Sequence, residues 1–247
     1  MKLPNETDVA GVAQVAPVVT PAAQRHGRWY NDACGAAFTM ELVGERWSLL
    51  IVREMLLGPR RFNELRSALP SLSAKVLSER LETLEANGIV TRSLLPPPIT
   101  ARAYGLTAWG QELEEVLLAM VRWALRSPEH DPSLPFTPVS LMLSLHAFLQ
   151  KDRIGDLSLW VAFDIAQQRF AGRLLPEGLS IHPGGEALEA PDLRFRAASA
   201  SDFLPVFYGR QTPEGDTGGL VIEGDPQLAC QFTDLFALPP RLEPHPA

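Results

Sequence analysis

The chain has 247 residues, 46% of them apolar, and a formal net charge of −7, the composition of a soluble globular protein with room for two ordinary domains. Taken whole, that acidity argues against nucleic acid, but it is unevenly placed: residues 1 to 131 carry 14 Lys/Arg against 15 Asp/Glu, and residues 132 to 247 carry 8 against 14. Cys34 and Cys230 are far apart and the five histidines (His26, His130, His146, His182, His245) are scattered, so no disulfide framework, metal site or cofactor is expected, and a reducing cytoplasm is the natural compartment.

In chain order, residues 1 to 31 read as an Ala/Val/Pro tail. Glu6, Asp8, Gln14 and Pro17 break up its weak apolar run, which a secretory segment would not tolerate, and no stretch approaches the ~20 apolar residues that span a bilayer. "CGAAFTMELVG" and "RWSLLIVREMLLG" are apolar at three-and-four spacing and each ends in glycine, the pattern of capped core helices. "RRFNELRSAL" is a short helix stopped by Pro70; Ser71 and Ser73 then offer caps for a helix from about 74 to 87, closed by Asn87-Gly88. In it Leu77, Leu81 and Leu84 share an inward face, and Lys75, Ser78, Glu79 and Glu82 point out. "IVTRSLL" and "TARAYGLT" are strand-like and joined by Pro96-Pro97-Pro98, giving a two-stranded wing. "TAWGQELEEVLLAMVRWALRS" is a long helix with Leu113, Val116, Leu117, Met120 and Ala124 along one stripe.

Residues 58 to 107 hold 7 basic side chains against 4 acidic ones, a local excess within an acidic chain. Two helices at a tight turn followed by a basic hairpin suit B-DNA, the second helix entering a major groove and the wing reaching phosphates or the minor groove. A plain helical hairpin with solvated charges would show much the same pattern. Three motifs, "GERW" at 44 to 47, "GPRRFNELRSALPSLSAKVLSERLETLEANGIVTR" at 58 to 92 and "YGLTAWGQEL" at 104 to 113, make residues 34 to 126 resemble the HxlR-type winged helix-turn-helix regulators. Where that family usually has lysine this chain has Arg46, and where it usually reads Cys-Pro this chain reads Cys34-Gly35.

The resemblance implies a homodimer joined through terminal helices and bound to an inverted repeat of double-stranded DNA. It assigns Ser73, Lys75, Ser78 and Arg80 to the recognition helix, Arg60 and Arg61 to the start of the supporting helix, and Arg92 and Arg102 to the wing. Arg80 lies near the Leu77/Leu81 face and could instead brace the helix by an ion pair. Cys34 is a redox-sensor candidate in the same comparison. A helix N-terminus favours a thiolate, while a small buried packing residue is the alternative.

After a Pro-rich linker at 128 to 138, residues 139 to 238 begin with an amphipathic helix, "VSLMLSLHAFLQKDRI", whose His146 reads as packed or partly exposed. Strands follow at "LSLWVAF", "QRFAGRLL", "LSIHP" and "DLRFRAA", then a helix "SDFLPVFYG", a strand "GGLVIEG" and a helix opened by Asp225-Pro226; residues 239 to 247 are a tail. The predicted fold is therefore α+β: a winged helix domain at 32 to 127, then a mixed or antiparallel sheet covered by helices. "PDLRFRAASASDFLPVFYGR" and "GGLVIEGDPQLACQFTDLF" resemble the sterol-carrier-protein-like domain, which implies an apolar tunnel for a lipid or acyl-chain effector. Phe163, Phe170, Phe203, Phe207, Phe232 and Phe236 are candidates for its wall and equally for an ordinary core. A ligand-free dimerisation module, or a lipid-binding or interaction protein, is the competing reading. An enzyme is not expected, because the chain has no G-x-S-x-G elbow, phosphate loop, H-E-x-x-H or convergent His/Asp/Cys set.

Overall fold

Helix α1, Gly35–Val43, starts where Cys34 follows Asp32, whose carboxylate accepts the Cys34 backbone N–H at 2.9 Å. The computed structural model describes residues 30–94, 101–184, 190–209, 211–213 and 217–243, and the chain divides into two units after Glu41. In the first unit, the Tyr30 N–H donates to Glu41 Oε1 at 2.7 Å.

In the second unit Trp47, a non-glycine residue in the left-handed region at φ 83°, precedes α2, Ser48–Met55. Helices α3, Phe62–Ala68, and α4, Ala74–Ala86, follow. The predicted caps of α4 are present: Ser73 Oγ accepts the Val76 N–H at 3.3 Å, and Gly88, at φ +72°, lets the Ile89 N–H return to the Leu84 carbonyl. Leu77, Leu81 and Leu84 are buried, as their spacing requires. Strands β1, Val90–Leu94, and β2, Arg102–Leu106, form an antiparallel wing, and Arg60 adds a bridge beside Tyr104. The proline tip at 96 to 98 lies outside the described residues. A short helix α5, Ala108–Gln111, leads into α6, Leu113–Ala124.

The stripe expected on α6 divides. Leu117 and Leu118 are buried, whereas Val116, Met120 and Trp123 are exposed. One apolar face is covered and a second, at i, i+4 and i+7, is left exposed by the described residues. The helix expected to be amphipathic, α7 at Pro138–Phe148, is buried nearly all round: seven of its eleven residues, Val139, Leu141, Met142, Leu143, Leu145, Ala147 and Phe148, are inside. The reason is position. Helix α7 packs against α2 and α6, and its Ser144 and Phe148 meet Tyr208 of the following layer.

That layer is a five-stranded mixed sheet in the order β5-β4-β3-β6-β7, built from β3 (Leu159–Ile165), β4 (Gln168–Leu175), β5 (Gly178–Pro183), β6 (Leu193–Ala197) and β7 (Val221–Gly224). Among the described strands, β3 and β6 pair in parallel and the other pairs are antiparallel. Alternate residues Val161, Phe163, Ile165, Phe170, Leu174, Leu193 and Phe195 face inward and are buried. They are covered by a 3-10 turn at Ala200–Phe203, by α8 (Leu204–Phe207) and by α9 (Pro226–Thr233). The architecture is α+β, a winged helix followed by a mixed sheet with helices on one face. No helix among the described residues is long and apolar enough to cross a membrane.

Candidate nucleic-acid interface

The turn between α3 and α4 is fixed by burial of Leu69 and Leu72, which aims the start of α4 outward. Ser73, Lys75 and Ser78 are exposed on its first turns. Lys75 is 86% exposed, and its nearest acid, Glu79, is 3.9 Å away. Arg80 lies closer to the core: 21% exposed, it pairs with Glu45 at 3.1 Å, so the bracing ion pair foreseen for it exists. At the head of α3 the Arg61 backbone N–H and guanidinium both donate to Glu64, one to each carboxylate oxygen, at 2.7 and 2.8 Å. Burial pushes the Glu64 carboxyl up, but the bonds from Arg61 outweigh it and hold that carboxyl below its ordinary value.

Arg60 stands apart from the others. Its guanidinium donates to the Glu54 carbonyl at 3.2 Å and to Gln168 Oε1 at 2.8 Å, tying the start of the helix-turn-helix to the β3–β4 hairpin. On the wing, Arg92 pairs with Glu85 at 2.8 Å and lies over the Tyr104 ring, and Arg102, opposite Leu94, is exposed. The eight basic and hydroxyl side chains therefore do not form one uniform cluster. Lys75, Ser73 and Ser78 project from α4, Arg92 and Arg102 from the wing, Arg61 is held at the head of α3, and Arg60 and Arg80 point back into the fold.

In the first unit Cys34 is exposed rather than buried. Backbone N–H groups of Ala36 and Ala37 lower its thiol pKa, which increases the thiolate fraction.

Of the six candidate phenylalanines, Phe163, Phe203, Phe207, Phe232 and Phe236 pack against one another and against Phe195, while Phe170 lies opposite Phe163 in the β3–β4 register. Phe207 contacts Phe195, Phe203, Phe232 and Phe236 with ring centroids 5.3 to 6.2 Å apart, and Phe163 stacks on Phe195 at 5.7 Å. Cavities of about 560 and 650 Å³ lie elsewhere, and none of the six phenylalanines lines either.

Several residues that position the site carry no local sequence signal. Glu54 is buried, yet accepts from Arg53 at 2.7 Å and from Thr137 Oγ at 2.8 Å. Glu114 pairs with His146 at 3.2 Å, and the Arg122 guanidinium donates to the Ala147 carbonyl at 3.0 Å. Each joins the winged helix to α7 or to the segment just before it.

A supporting helix, a tight turn, a second helix exposing its first polar turns and a basic antiparallel wing together constitute a winged helix-turn-helix, a DNA-binding class. Residues 42–131 match the family described as HxlR-like helix-turn-helix. The HTH-type transcriptional regulator YodB of Bacillus subtilis (strain 168) is 42% identical over 83 residues, 34% of this chain and 74% of YodB. YvaP of the same organism, another HTH-type transcriptional regulator, is 41% identical over 85 residues, 34% of this chain and 79% of YvaP. The solved reduced form of YodB aligns with a TM-score of 0.36 at 37% identity, over 40% of this chain and all of that one. The chain belongs to the HxlR-like helix-turn-helix family and is a DNA-binding transcriptional regulator.

Proposed function

We propose that the protein acts in the cytoplasm as a homodimer that binds an inverted-repeat operator through α4 and the wing. The observation that carries this reading is the division of α4 between three buried leucines, Leu77, Leu81 and Leu84, and an exposed face with Ser73, Lys75 and Ser78. A helix held in this way can enter a major groove with its N-terminal side chains at the base edges, while Arg61, Arg92 and Arg102 contact phosphates. The second apolar face of α6, with Val116, Met120 and Trp123 at 41%, 45% and 78% exposure, supports dimerisation through that helix. Two-fold symmetry would then set half-sites about one turn apart, ~34 Å. The exposed, thiolate-favoured Cys34 supports a response of this regulator to oxidants or electrophiles.

Residues 139 to 238 are read as a sterol-carrier-protein-like domain, and a mixed sheet with helices on one face agrees with that reading. The interlocked phenylalanines favour the alternative in which this core is packed and ligand-free rather than a tunnel.

The test is an anisotropy titration of a fluorescent inverted-repeat duplex across a range of salt concentrations. Arg92→Ala and Arg102→Ala should weaken binding to all sequences, each flattening the salt slope by about one unit per lost phosphate contact. Lys75→Ala should change sequence preference instead, and Trp123→Glu should leave a monomer in sedimentation. Wild-type slopes in both arginine variants would dismiss the wing contacts. Equal operator affinity of the wild type before and after peroxide would remove the sensor role of Cys34.

A further inference from the structure

A cavity of about 560 Å³ lies where the winged helix meets the outer edge of β5. The volume suits a small molecule rather than a few waters. Its walls come from the end of α2 through Gly58-Pro59, from Gly105-Leu106 of β2, from Gln111 and Glu114, from His146 of α7, and from Leu179 to Pro183 of β5. Most of that surface is aliphatic.

The ionisable side chains in this lining are Glu114, His146 and His182, with no lysine or arginine among the described residues that form it. The Glu114 carboxylate accepts from His146 Nδ1 at 3.2 Å, and Gln111 Nε2 reaches its other oxygen at 3.5 Å. The bond from His146, opposed by burial, holds the Glu114 carboxyl below its ordinary value, so it is ionised at neutral pH. His146 Nε2 is buried without a hydrogen-bond partner among the described residues. Glu114 keeps 29% of its side chain exposed, and a carboxylate has about four lone-pair sites, so these two donors leave room for another. The cavity thus pairs apolar walls with one incompletely satisfied negative charge.

We propose that this junction cavity binds a small lipophilic amine, with its ammonium on Glu114 and its apolar body against Leu56, Leu106, Leu179 and Pro183. The site is separate from the phenylalanine core. It is also placed to matter for DNA: Gly58-Pro59 runs directly into Arg60 and α3, and Gly105-Leu106 is part of the wing strand. A ligand held there shifts operator affinity to the extent that it binds the two arrangements of these segments unequally. That consequence rests on the operator reading given above, whereas binding of the amine does not.

The experiment uses the full-length protein and calorimetric titration with n-octylamine, n-octanol and n-octanoate. The amine should bind about tenfold more tightly than the alcohol, the expected weight of one charge-assisted hydrogen bond, and octanoate should be weakest. Glu114→Gln keeps an acceptor for His146 but removes the charge, so it should bring the amine down to the affinity of the alcohol. Leu179→Trp should fill the cavity and abolish binding of the amine. Equal affinities for amine and alcohol in the wild type, an amine preference that survives Glu114→Gln, or no heat with octylamine would each overturn the proposal. Operator affinity measured without any amine keeps the two readings apart. A protein that binds the duplex but not octylamine defeats only the cavity site, and one that binds octylamine but no duplex defeats only the operator reading.

Discussion

Truncating Phe207 to alanine decides whether the core beneath the five-stranded sheet is packed or hollow. The side chain is 3% exposed and its ring lies 5.3 Å from Phe195, 5.5 Å from Phe236, 5.8 Å from Phe203 and 6.2 Å from Phe232. Removing a phenyl group from such a place costs about 3–5 kcal/mol through lost transfer energy and the cavity left behind. Each aromatic pair adds about 0.5–1.5 kcal/mol beyond buried area, so the upper half of that range is expected. For a chain of this size about 2–4 °C is lost per kcal/mol, so the melting temperature should fall by roughly 8–20 °C. Calorimetric melts of the full chain, with and without fatty acids of increasing length, measure both quantities. In a packed core no chain length restores the loss. A ring lining a tunnel would give a cost under about 1 kcal/mol, and stabilisation would grow by ~0.8 kcal/mol for each buried CH₂. That result would refute the packed assignment.

Gly110→Ala should destabilise the winged helix by about 3 kcal/mol in urea unfolding. A Cβ there would sit 2.1 Å from the Ile89 carbonyl oxygen, which already accepts from Thr107. In an open helix the same change would stabilise by roughly 1 kcal/mol, so the sign of the effect is the test. For Glu114, the folded carboxyl is depressed, chiefly by the bond from His146. Its contribution is therefore full above the ordinary value of about 4.3 and is lost as the pH falls through the lower folded value. The stability difference between wild type and Glu114→Gln should be flat near neutrality and shrink in acid, and a difference that grows with acid would contradict the pairing.

Much of the winged helix was legible because its signals are local. The three leucines of α4 declare a buried face by spacing alone, and Ser73 and Gly88 mark its two ends by needs that arise within one turn of chain. Helix α6 shows where such reading stops. Val116 and Leu117 look alike in a periodic pattern, but one is exposed and the other buried. Hydrophobic periodicity reports that a face is apolar, not whether the same chain covers it. Helix α7 fails in the opposite direction, since its surroundings on both sides come from elements distant in sequence, α2, α6 and Tyr208.

The basic island is the clearest case of composition outrunning geometry. Counting gives an excess of positive charge, yet Arg60, Arg61, Arg80 and Arg92 all have hydrogen-bond or ion-pair partners in the folded chain. What separates them is the cost of leaving those partners. Arg61 and Arg92 are 43% and 48% exposed, and exposed pairs are worth about 0–1 kcal/mol, so a phosphate can compete for them. Arg80 is half as exposed, and its Nε is buried without a partner among the described residues, so withdrawing it disturbs packing as well as charge. Arg60 already donates to the Glu54 carbonyl and to Gln168, the latter a contact that spans 108 residues of sequence, and a phosphate could compete for that second bond. If it does so, DNA binding and docking of the β3–β4 hairpin draw on the same guanidinium. By linkage, whatever strengthens one then weakens the other by the same factor.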